Sequence, residues 1–358
     1  MQPSEFDVAI LGAGPVGCAL ALALRDSGLR IALVGRKAPA ATPGVVRPLA
    51  LSYASRLILE RAGAWESLSS TPIRQIHVSQ AGGFGRTKIS SAELGLPALG
   101  YVAGYDTIAA GLSALVDPAI RLADEAGPPR ARLIVHAEGV DPEARGKDYG
   151  HTAVVAVIES ERSAHGIAYE RFTREGPLAL LPMKDAYGVV WSRTAAAAAA
   201  AMDASDAQFL AELQAAFGLR AGRFRSVGVR AASPLLLRFG STRATAGEVR
   251  IGNAAQTLHP VAGQGLNLGL RDAWELARLL HEATPDSLGT AVLAERFARS
   301  RRFDAQATIR ATDLLATLYV RRDPLSAALR GAALTALDVF PPARKFFARR
   351  MIYGASAW

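Results

Sequence analysis

The chain has 358 residues, of which 50% are hydrophobic and 20% are charged, and its formal net charge is +9 at pH 7. This composition excludes a largely disordered protein, and the length exceeds that of an ordinary single domain. The single cysteine, Cys18, excludes an internal disulfide, and neither the dispersed histidines nor the scattered arginines predict a metal site or a nucleic-acid partner.

The N-terminal segment predicts a nucleotide-binding unit. Residues 6–11 have the apolar character of a buried strand, residues 16–27 that of a helix, and residues 30–34 that of a second strand. Strand, helix and strand in this order form the βαβ unit of a Rossmann fold. The turn before the helix supplies the first candidate cofactor-binding residues, which are Gly12, Ala13, Gly14, Pro15, Val16 and Gly17.

Each of three positions in this turn requires glycine for a different physical reason. Gly12 permits the sharp bend out of the strand, Gly14 lets the backbone approach a pyrophosphate, and Gly17 lets helix and strand pack closely. The phosphates then lie at the helix N-terminus, where free N–H groups and the dipole favour negative charge. These glycines interrupt the apolar stretch 8–24, so we expect a cytoplasmic protein without a membrane-spanning segment.

The end of the second strand departs from the usual Rossmann pattern. An acidic residue normally stands there and accepts hydrogen bonds from the adenosine ribose, but this chain has Gly35 followed by Arg36. One interpretation is that Arg36 faces the 2′-phosphate of NADP, and the other is that FAD binds with one anchor missing. Loss of a charged hydrogen bond worth roughly 1.5–3 kcal/mol lowers the affinity about tenfold to a hundredfold.

The middle of the chain predicts a second sheet. Short β-prone runs alternate with glycine and proline turns at residues 73–79, 151–159, 168–173 and 188–192. The alanine run 195–201 and the segment 206–217, with its helical apolar spacing, favour helices. A strand at residues 249–252 returns to the first sheet, and the chain from residue 272 onward is expected to be mostly helical.

The segment from Arg250 to Asp272 carries the most specific pattern. Its sequence, RIGNAAQTLHPVAGQGLNLGLRD, resembles nearly residue for residue the third fingerprint of the 2-polyprenyl-6-methoxyphenol hydroxylases. These are class A FAD-dependent aromatic monooxygenases of ubiquinone biosynthesis. Further segments are similar to the same family, so that the resemblance covers nearly the whole chain: 47–55, 71–80, 99–102, 148–153, 168–172 and 176–182.

The resemblance implies an α/β fold with three parts. A Rossmann-type FAD-binding domain of the glutathione-reductase-like kind carries an inserted β-sheet substrate domain and precedes a helical C-terminus. The FAD-binding domain is discontinuous and comprises residues 1–71, 100–147 and 244–300. The substrate domain comprises residues 72–99 and 148–243, and the C-terminal helical segment comprises residues 301–358.

The resemblance also implies the cofactor site. In the family, the strand that ends at Gly252 and Asn253 meets the flavin ribityl and pyrophosphate, and the next loop lies along the isoalloxazine ring. The candidate cofactor-binding residues beyond the first turn are therefore Arg36, Arg47, Glu138, Gly252, Asn253, Pro260, Gly263, Gly265, Leu266 and Asn267. The catalytic candidates are His259 and Gln264, although His259 has an alternative structural role, in which it bonds the loop backbone.

The implied activity is hydroxylation of a polyprenylated phenol in ubiquinone biosynthesis, with FAD as cofactor, NADPH or NADH as reductant, and O₂. Three cofactor-facing features depart from the family: Gly35, the motif around Glu138 and a shortened segment 116–133. Two alternatives therefore stay open. One is a flavin-weak or non-catalytic member that acts as a partner of other ubiquinone-biosynthesis proteins, and the other is a hydroxylase of another aromatic compound.

The C-terminus concentrates basic and large apolar residues. After Pro341 and Pro342 they alternate along one segment, which contains Arg344, Lys345, Phe346, Phe347, Arg349, Arg350, Met351, Ile352 and Tyr353. One interpretation is that this segment lies on an anionic membrane surface, so that the protein is peripheral on the inner membrane and meets a lipidic substrate there. The other is an ordinary surface helix that packs its aromatic side on the body.

Overall fold

The computed structural model describes residues 5–35, 43–123, 129–139, 145–239, 243–257, 264–320 and 324–354. The strands are β1 (Phe6–Leu11), β2 (Ile31–Val34), β3 (Pro48–Ser52), β4 (Thr71–Ile73), β5 (Gln75–Gln80), β6 (Arg86–Ser90), β7 (Gly100–Gly104), β8 (Arg121–Leu122), β9 (Ala131–His136), β10 (Arg145–Ser160), β11 (Ile167–Phe172), β12 (Pro177–Met183), β13 (Ala186–Thr194), β14 (Phe224–Val227), β15 (Ala231–Phe239), β16 (Ala244–Thr245), β17 (Glu248–Arg250) and β18 (Gln256–Thr257). The helices are α1 (Pro15–Ala23), α2 (Tyr53–Arg61), α3 (Tyr105–Leu115), α4 (Ala195–Asp203), α5 (Asp206–Phe217), α6 (Gln264–His281), α7 (Ala291–Val320), α8 (Pro324–Val339) and α9 (Pro341–Tyr353).

A six-stranded sheet with the order β16-β17-β9-β1-β2-β8 forms the first layer. β1 pairs in parallel with both β2 and β9, so that Val8 lies between Ile31 and Leu133. Val8, Ala9 and Ile10 have no exposed surface, as expected for a central parallel strand that helices cover. Residues of α1, α3, α6 and α7 share this core. The predicted Rossmann unit is thereby confirmed.

The second sheet is larger and follows the order β18-β15-β10-β13-β12-β11-β5-β6, with β14 paired to β10. Its neighbours are antiparallel except β11 and β5, which run in parallel. Most of its strands lie in the ranges 72–99 and 148–243, while β18 lies outside them. The division of the chain into domains at these boundaries stays a prediction.

Side chains of the second sheet alternate between two apolar faces. Leu180 and Trp191 point to one face, which α4 and α5 cover, and the Trp191 ring centroid lies 6.2 Å from that of Phe209. Ala179 and Val190, one residue earlier in each strand, point to the opposite face and line a cavity. That face is also apolar, so its exposure to water is unfavourable, and we expect other apolar groups to pack against it.

A short antiparallel sheet, β3-β7-β4, and the C-terminal helices lie around this cavity. α8 packs against β6, and α9 packs against α2 and β3. Ala348 and Ile352 of α9 are buried in a cluster with Ile89 and Leu99. The helical C-terminus that the resemblance implied is confirmed, and its last two helices help to enclose the cavity.

Asp272 of α6 is the centre of a buried ionic network. Its carboxylate accepts hydrogen bonds from the Gly252 amide at 3.2 Å, Gln256 Nε2 at 3.0 Å and Arg301 Nε at 2.8 Å. Arg243 Nη1 lies 3.0 Å away as an ion pair. Complete burial favours the neutral acid, but Arg243 and Arg301 outweigh it and lower the pKa of Asp272. The network therefore holds a full charge inside the protein.

The same network extends to the neighbouring helix. Arg301 of α7 also donates to Asp304 at 2.5 Å, and Arg271 of α6 donates to Asp304 at 2.8 Å. All four of Arg271, Asp272, Arg301 and Asp304 are nearly or fully buried. Since a buried charge is tolerated only when it is paired, these contacts fix α6, α7 and the turn at Gly252 relative to one another.

Replacing Asp272 by alanine is expected to lower the free energy of unfolding by about 3–5 kcal/mol, because Arg243 and Arg301 lose their buried counter-charge. Urea unfolding in excess FAD measures the change. The control is Glu295→Ala on α7, which removes an ion pair whose side chains are 70% and 76% exposed and is expected to cost at most about 1 kcal/mol. Equal losses in the two variants would contradict a special role for the buried network.

Candidate active site

The glycine turn is packed tightly at two positions and open at a third. Gly12 has a φ of +106°, and a Cβ there would lie 2.5 Å from the Ala137 backbone. A Cβ at Gly17 would lie 1.9 Å from the carbonyl oxygen of Gly12, whereas a Cβ at Gly14 would meet nothing within 4 Å. Gly14 directly precedes Pro15, the first residue of α1. A pyrophosphate can therefore approach the backbone at Gly14, as the prediction requires.

Gly35, the residue that directly follows β2, offers only backbone atoms to a cofactor. Gly35 has a φ of +137°, and a Cβ there would lie 3.0 Å from the Ala13 amide nitrogen. An acidic residue would be strained in this conformation, so the usual ribose-binding carboxylate has no place at Gly35. Arg36, the candidate for the alternative contact, lies outside the described residues.

Glu138 follows β9 and lies beside the glycine turn, since its amide nitrogen would be 2.5 Å from a Cβ at Gly12. Its carboxylate accepts a hydrogen bond from His136 Nδ1 at 3.0 Å. This bond raises the pKa of His136. Partial burial opposes ionisation of Glu138, but the bond to His136 outweighs it and lowers the pKa of Glu138. A direct contact from Glu138 to the cofactor stays a prediction.

The segment after β17 brings Gly252 to the glycine turn and Asn253 to the cavity. Gly252 has a φ of +59° and begins a single 3₁₀ turn, Gly252–Ala254. A Cβ at Gly252 would lie 3.2 Å from Val16 Cγ2, so this turn and the start of α1 are in contact. Asn253 is exposed, lines the cavity and makes no side-chain hydrogen bond to the described residues. Its amide is free to bind a ligand.

The first turn of α6 forms the other side of the candidate site. α6 begins at Gln264, and a Cβ at Gly265 would meet nothing within 4 Å, so the backbone there is open to a ligand. Leu266 packs against the main core instead. The remaining predicted residues of this loop, His259, Pro260 and Gly263, lie outside the described residues.

The side chain of Asn267 is held by the protein. Its Oδ1 accepts hydrogen bonds from the Ser52 amide at 2.8 Å and from Ser55 Oγ at 2.7 Å, and its Nδ2 donates to the Ala50 carbonyl at 2.9 Å. These bonds fasten α6 to the junction of β3 and α2. Gln264 Nε2 likewise donates to the carbonyl of a residue in α9, at 3.4 Å. Both residues line the cavity, and their direct roles toward cofactor or substrate stay predictions.

Arg47 stands just before β3 at the edge of the cavity. Its Nη2 donates a hydrogen bond to Asp106 at 2.9 Å, and its guanidinium lies 4.4 Å from the centroid of the Tyr105 ring. About half of the Arg47 side chain is exposed. The structure thus brings Arg47 to the same cavity as Asn253 and Asn267, where the resemblance implied a cofactor contact.

The cavity itself has a volume of about 1650 Å³. Asn253, Gln264 and Asn267 line it at the cofactor side, the second sheet lines it with apolar residues, and Phe347 and Met351 of α9 contribute from the C-terminus. One continuous space therefore connects the predicted flavin loop with the large sheet and the last helices.

Sequence reasoning missed three charged residues of the described cavity lining, which are Asp106, Arg330 and Glu170 of β11. Glu170 is the one of these that makes no hydrogen bond or ion pair with the described residues. It shares the cavity face with Ala168 and Phe172, and burial raises its pKa to about 7. A signal was available, because a charged residue that alternates with apolar neighbours in a strand with two apolar faces is unusual. This pattern would have identified Glu170 only if both faces of β11 had been expected to be buried.

The residues present fit an FAD molecule. The starts of α1 and α6 are close together, since Val16 lies against Gly252 and a Cβ at Gly269 would be 2.7 Å from Val16 Cγ2. Two helix N-termini supply free N–H groups and favourable dipoles for a pyrophosphate and for a ring that gains negative charge on reduction. Open backbone at Gly14 and Gly265 leaves room for close approach.

Comparison with known proteins agrees with this geometry. Residues 130–312 match the family described as FAD binding domain. An uncharacterized protein of Synechocystis is 28% identical and covers 97% of this chain and 93% of its own. The ubiquinone hydroxylase UbiL of Rhodospirillum rubrum is 30% identical over 96% of this chain and 88% of its own.

Solved structures share the fold. The p-nitrophenol 4-monooxygenase PnpA of Pseudomonas putida superposes over the full length of both chains with a TM-score of 0.74 at 18% identity. At that identity the likeness concerns the fold alone, and the sequence matches carry the relationship. The chain therefore is an FAD-dependent oxidoreductase that belongs to the FAD-dependent monooxygenase family of the ubiquinone hydroxylases.

Proposed function

We propose that this protein hydroxylates the ring of a polyprenylated phenol in ubiquinone biosynthesis, with FAD as cofactor, NADPH or NADH as reductant and O₂ as oxidant. The observation that carries the proposal is the apolar cavity that opens from the candidate flavin site. Its volume of about 1650 Å³ includes the cofactor side lined by Asn253, Gln264 and Asn267, and it exceeds the range of about 300–1,000 Å³ that is usual for a site that holds one small ligand. A ring with a long apolar tail needs such a space.

The lining suits such a substrate along its whole length. The cavity face of the second sheet presents residues such as Val155, Ala179 and Val190, and α8 adds Leu334 and Leu337. Burial of a prenyl chain against these side chains is favourable at roughly 25 cal/mol per Å² of apolar surface. The similar protein of Rhodospirillum rubrum is named a ubiquinone hydroxylase, and ubiquinone carries a prenyl tail of this kind.

Bound FAD, once reduced by NAD(P)H, supplies the oxygen-transfer chemistry, and one oxygen atom enters the ring while the other leaves as water. The chain's own residues bind, orient and exclude solvent. Amides at the start of α6 favour negative charge next to Gly265, and the apolar lining keeps water from the reaction. Asn253 is free to bind the cofactor, and Gln264 and His259 are the candidates for polar contact near the reacting ring.

The proposal is tested by incubating the FAD-loaded protein with NADPH or NADH, ¹⁸O₂ and a 2-polyprenylphenol. We expect a singly hydroxylated product that takes its label from ¹⁸O₂ and not from labelled water. Gly14→Leu is the matched variant, because its backbone conformation accepts a side chain that would then fill the pyrophosphate approach. It should fold, lose FAD and form no product.

Two results of this experiment would overturn the proposal. Protein that fails to retain FAD and forms no product would favour the non-catalytic partner in a ubiquinone-biosynthesis assembly. Protein that retains FAD, consumes NAD(P)H with a simple phenol and ignores prenylated phenols would favour the hydroxylase of another aromatic compound.

We further propose that α9 rests on an anionic membrane surface, from which the lipidic substrate arrives. Arg344 faces the rest of the protein, where it donates two hydrogen bonds to Glu93, at 3.0 and 3.1 Å. Lys345, Phe346 and Arg349 are exposed on the outer side of the helix, and Phe340 beside it is 59% exposed. Basic charge next to exposed aromatic rings is the combination that binds anionic headgroups.

Within the described residues, no helix has the length and apolar character needed to cross a membrane. The surface contact of α9 is therefore tested as peripheral binding. Each basic residue near an anionic surface contributes about 1 kcal/mol, so Lys345→Glu combined with Arg349→Glu should weaken partitioning to anionic vesicles about thirtyfold or more. Flotation with anionic and with neutral phosphatidylcholine vesicles measures this change.

The control for the aromatic contribution is a matched pair. Phe346→Ala should weaken vesicle binding, whereas Phe303→Ala on α7 should leave it unchanged, although both rings are 63% exposed. If the charge-reversed protein and Phe346→Ala partition as the unmodified protein does, α9 is an ordinary surface helix.

A further inference from the structure

Glu170 lies on the apolar face of the cavity, and its carboxyl group has no hydrogen-bond or ion-pair partner among the described residues. We propose that Glu170 receives the ring hydroxyl of the phenolic substrate and so sets the position of the ring. This inference rests on the proposed function, because it requires a phenol to enter the cavity.

The strand register brings Glu170 to the cavity face. β11 lies between β5 and β12, and Glu170 is paired with Val78 on one side and Ala179 on the other. Both partners line the cavity, as do Ala168 and Phe172, the next residues of β11 on the same face. The Glu170 side chain therefore projects from an otherwise apolar stretch of the sheet.

The other charged residues of the cavity lining are already engaged. Arg47 and Asp106 form an ion pair at 2.9 Å, and Arg330 Nε donates to Gln80 at 3.0 Å. Glu170, by contrast, makes no hydrogen bond or ion pair with the described residues. It is the one acidic group of the described lining that keeps its hydrogen-bonding capacity for a ligand.

An isolated carboxyl group in such surroundings is costly unless something binds it. Burial raises the pKa of Glu170 to about 7, so both its neutral and its ionised forms exist near neutral pH. The neutral form can donate to a phenol oxygen, and the ionised form can accept from a phenol hydroxyl. A polyprenylated phenol carries a polar head of this kind on an apolar tail, which matches an unengaged carboxyl group on an apolar face of the cavity.

The size of the effect follows from the chemistry of the contact. A hydrogen bond to a charged partner that forms in a water-poor site should favour a phenol over its methyl ether about tenfold to a hundredfold. The methyl ether keeps the ring, the oxygen atom and the tail, but it carries one additional methyl group and cannot donate a hydrogen bond. The comparison of the two ligands therefore isolates the hydroxyl group from the burial of the tail.

The experiment is a binding cycle that involves no turnover. Calorimetric titration of the FAD-loaded protein with 2-geranylphenol and with its methyl ether gives a preference ratio for the unmodified protein and for the variants Glu170→Leu and Glu170→Gln. The control variant is Thr87→Val, which removes a hydroxyl group from the same lining without a change of size; that hydroxyl is buried and has no partner in the described structure.

We expect the unmodified protein and Thr87→Val to prefer the phenol about tenfold or more. Glu170→Leu should bind the methyl ether at least as tightly as before and lose the preference, and Glu170→Gln should keep a reduced preference. A preference that survives in Glu170→Leu, or none in the unmodified protein, would overturn the role of Glu170 and leave the proposed function standing. If neither ligand binds the unmodified protein, the proposed function itself fails, and this inference falls with it.

Discussion

The carboxylate of Asp272 is the contact on which the cofactor side of the molecule depends. It accepts a hydrogen bond from the amide of Gly252, while Arg243 and Arg301 neutralise its charge. Gly252 in turn lies against Val16 at the start of α1. Because an uncompensated charge cannot remain buried, the two helix starts and the turn between them are fixed as one unit. A cofactor that spans both helix starts meets a site that is already formed.

A second constraint comes from the large sheet, whose two faces are both apolar. Helices α4 and α5 cover one face with residues such as Phe209, and α8 and α9 only partly cover the other. Apolar surface that is left uncovered costs free energy in water, so this face favours an apolar ligand. The C-terminal helices therefore form part of the cavity wall. They also carry the exposed basic and aromatic residues that we propose to contact a membrane.

The nucleotide-binding unit was predictable from sequence because its signals are local. An apolar strand, three glycines and a helix lie within a few residues, and each glycine has a steric reason that the structure reproduces at Gly12 and Gly17. The alanine run after residue 194 was likewise expected to be helical and forms α4. Strand β15 and the short sheet β3-β7-β4 were not predicted from periodicity, because their pairing depends on segments distant in the chain.

The site was predictable to a different extent. The resemblance brought Asn253, Gln264 and Asn267 to one region, and all three line the same cavity. It did not reveal that the Asn267 side chain forms hydrogen bonds with Ser52, Ser55 and the Ala50 carbonyl. These hydrogen bonds join residues that are more than two hundred positions apart in the chain. The place of Glu170 in the cavity and the contribution of α9 to the cavity wall were missed for the same reason. Both depend on which distant segments pack against the sheet.

We infer that this cleft holds FAD even though Gly35 supplies no ribose-binding carboxylate. The most direct measurement is the FAD content of the protein after gentle purification, followed by titration of the desalted protein with FAD. We expect yellow protein that saturates at equimolar FAD, with an affinity that the missing anchor lowers about tenfold to a hundredfold. Colourless protein that takes up no added FAD would contradict this inference.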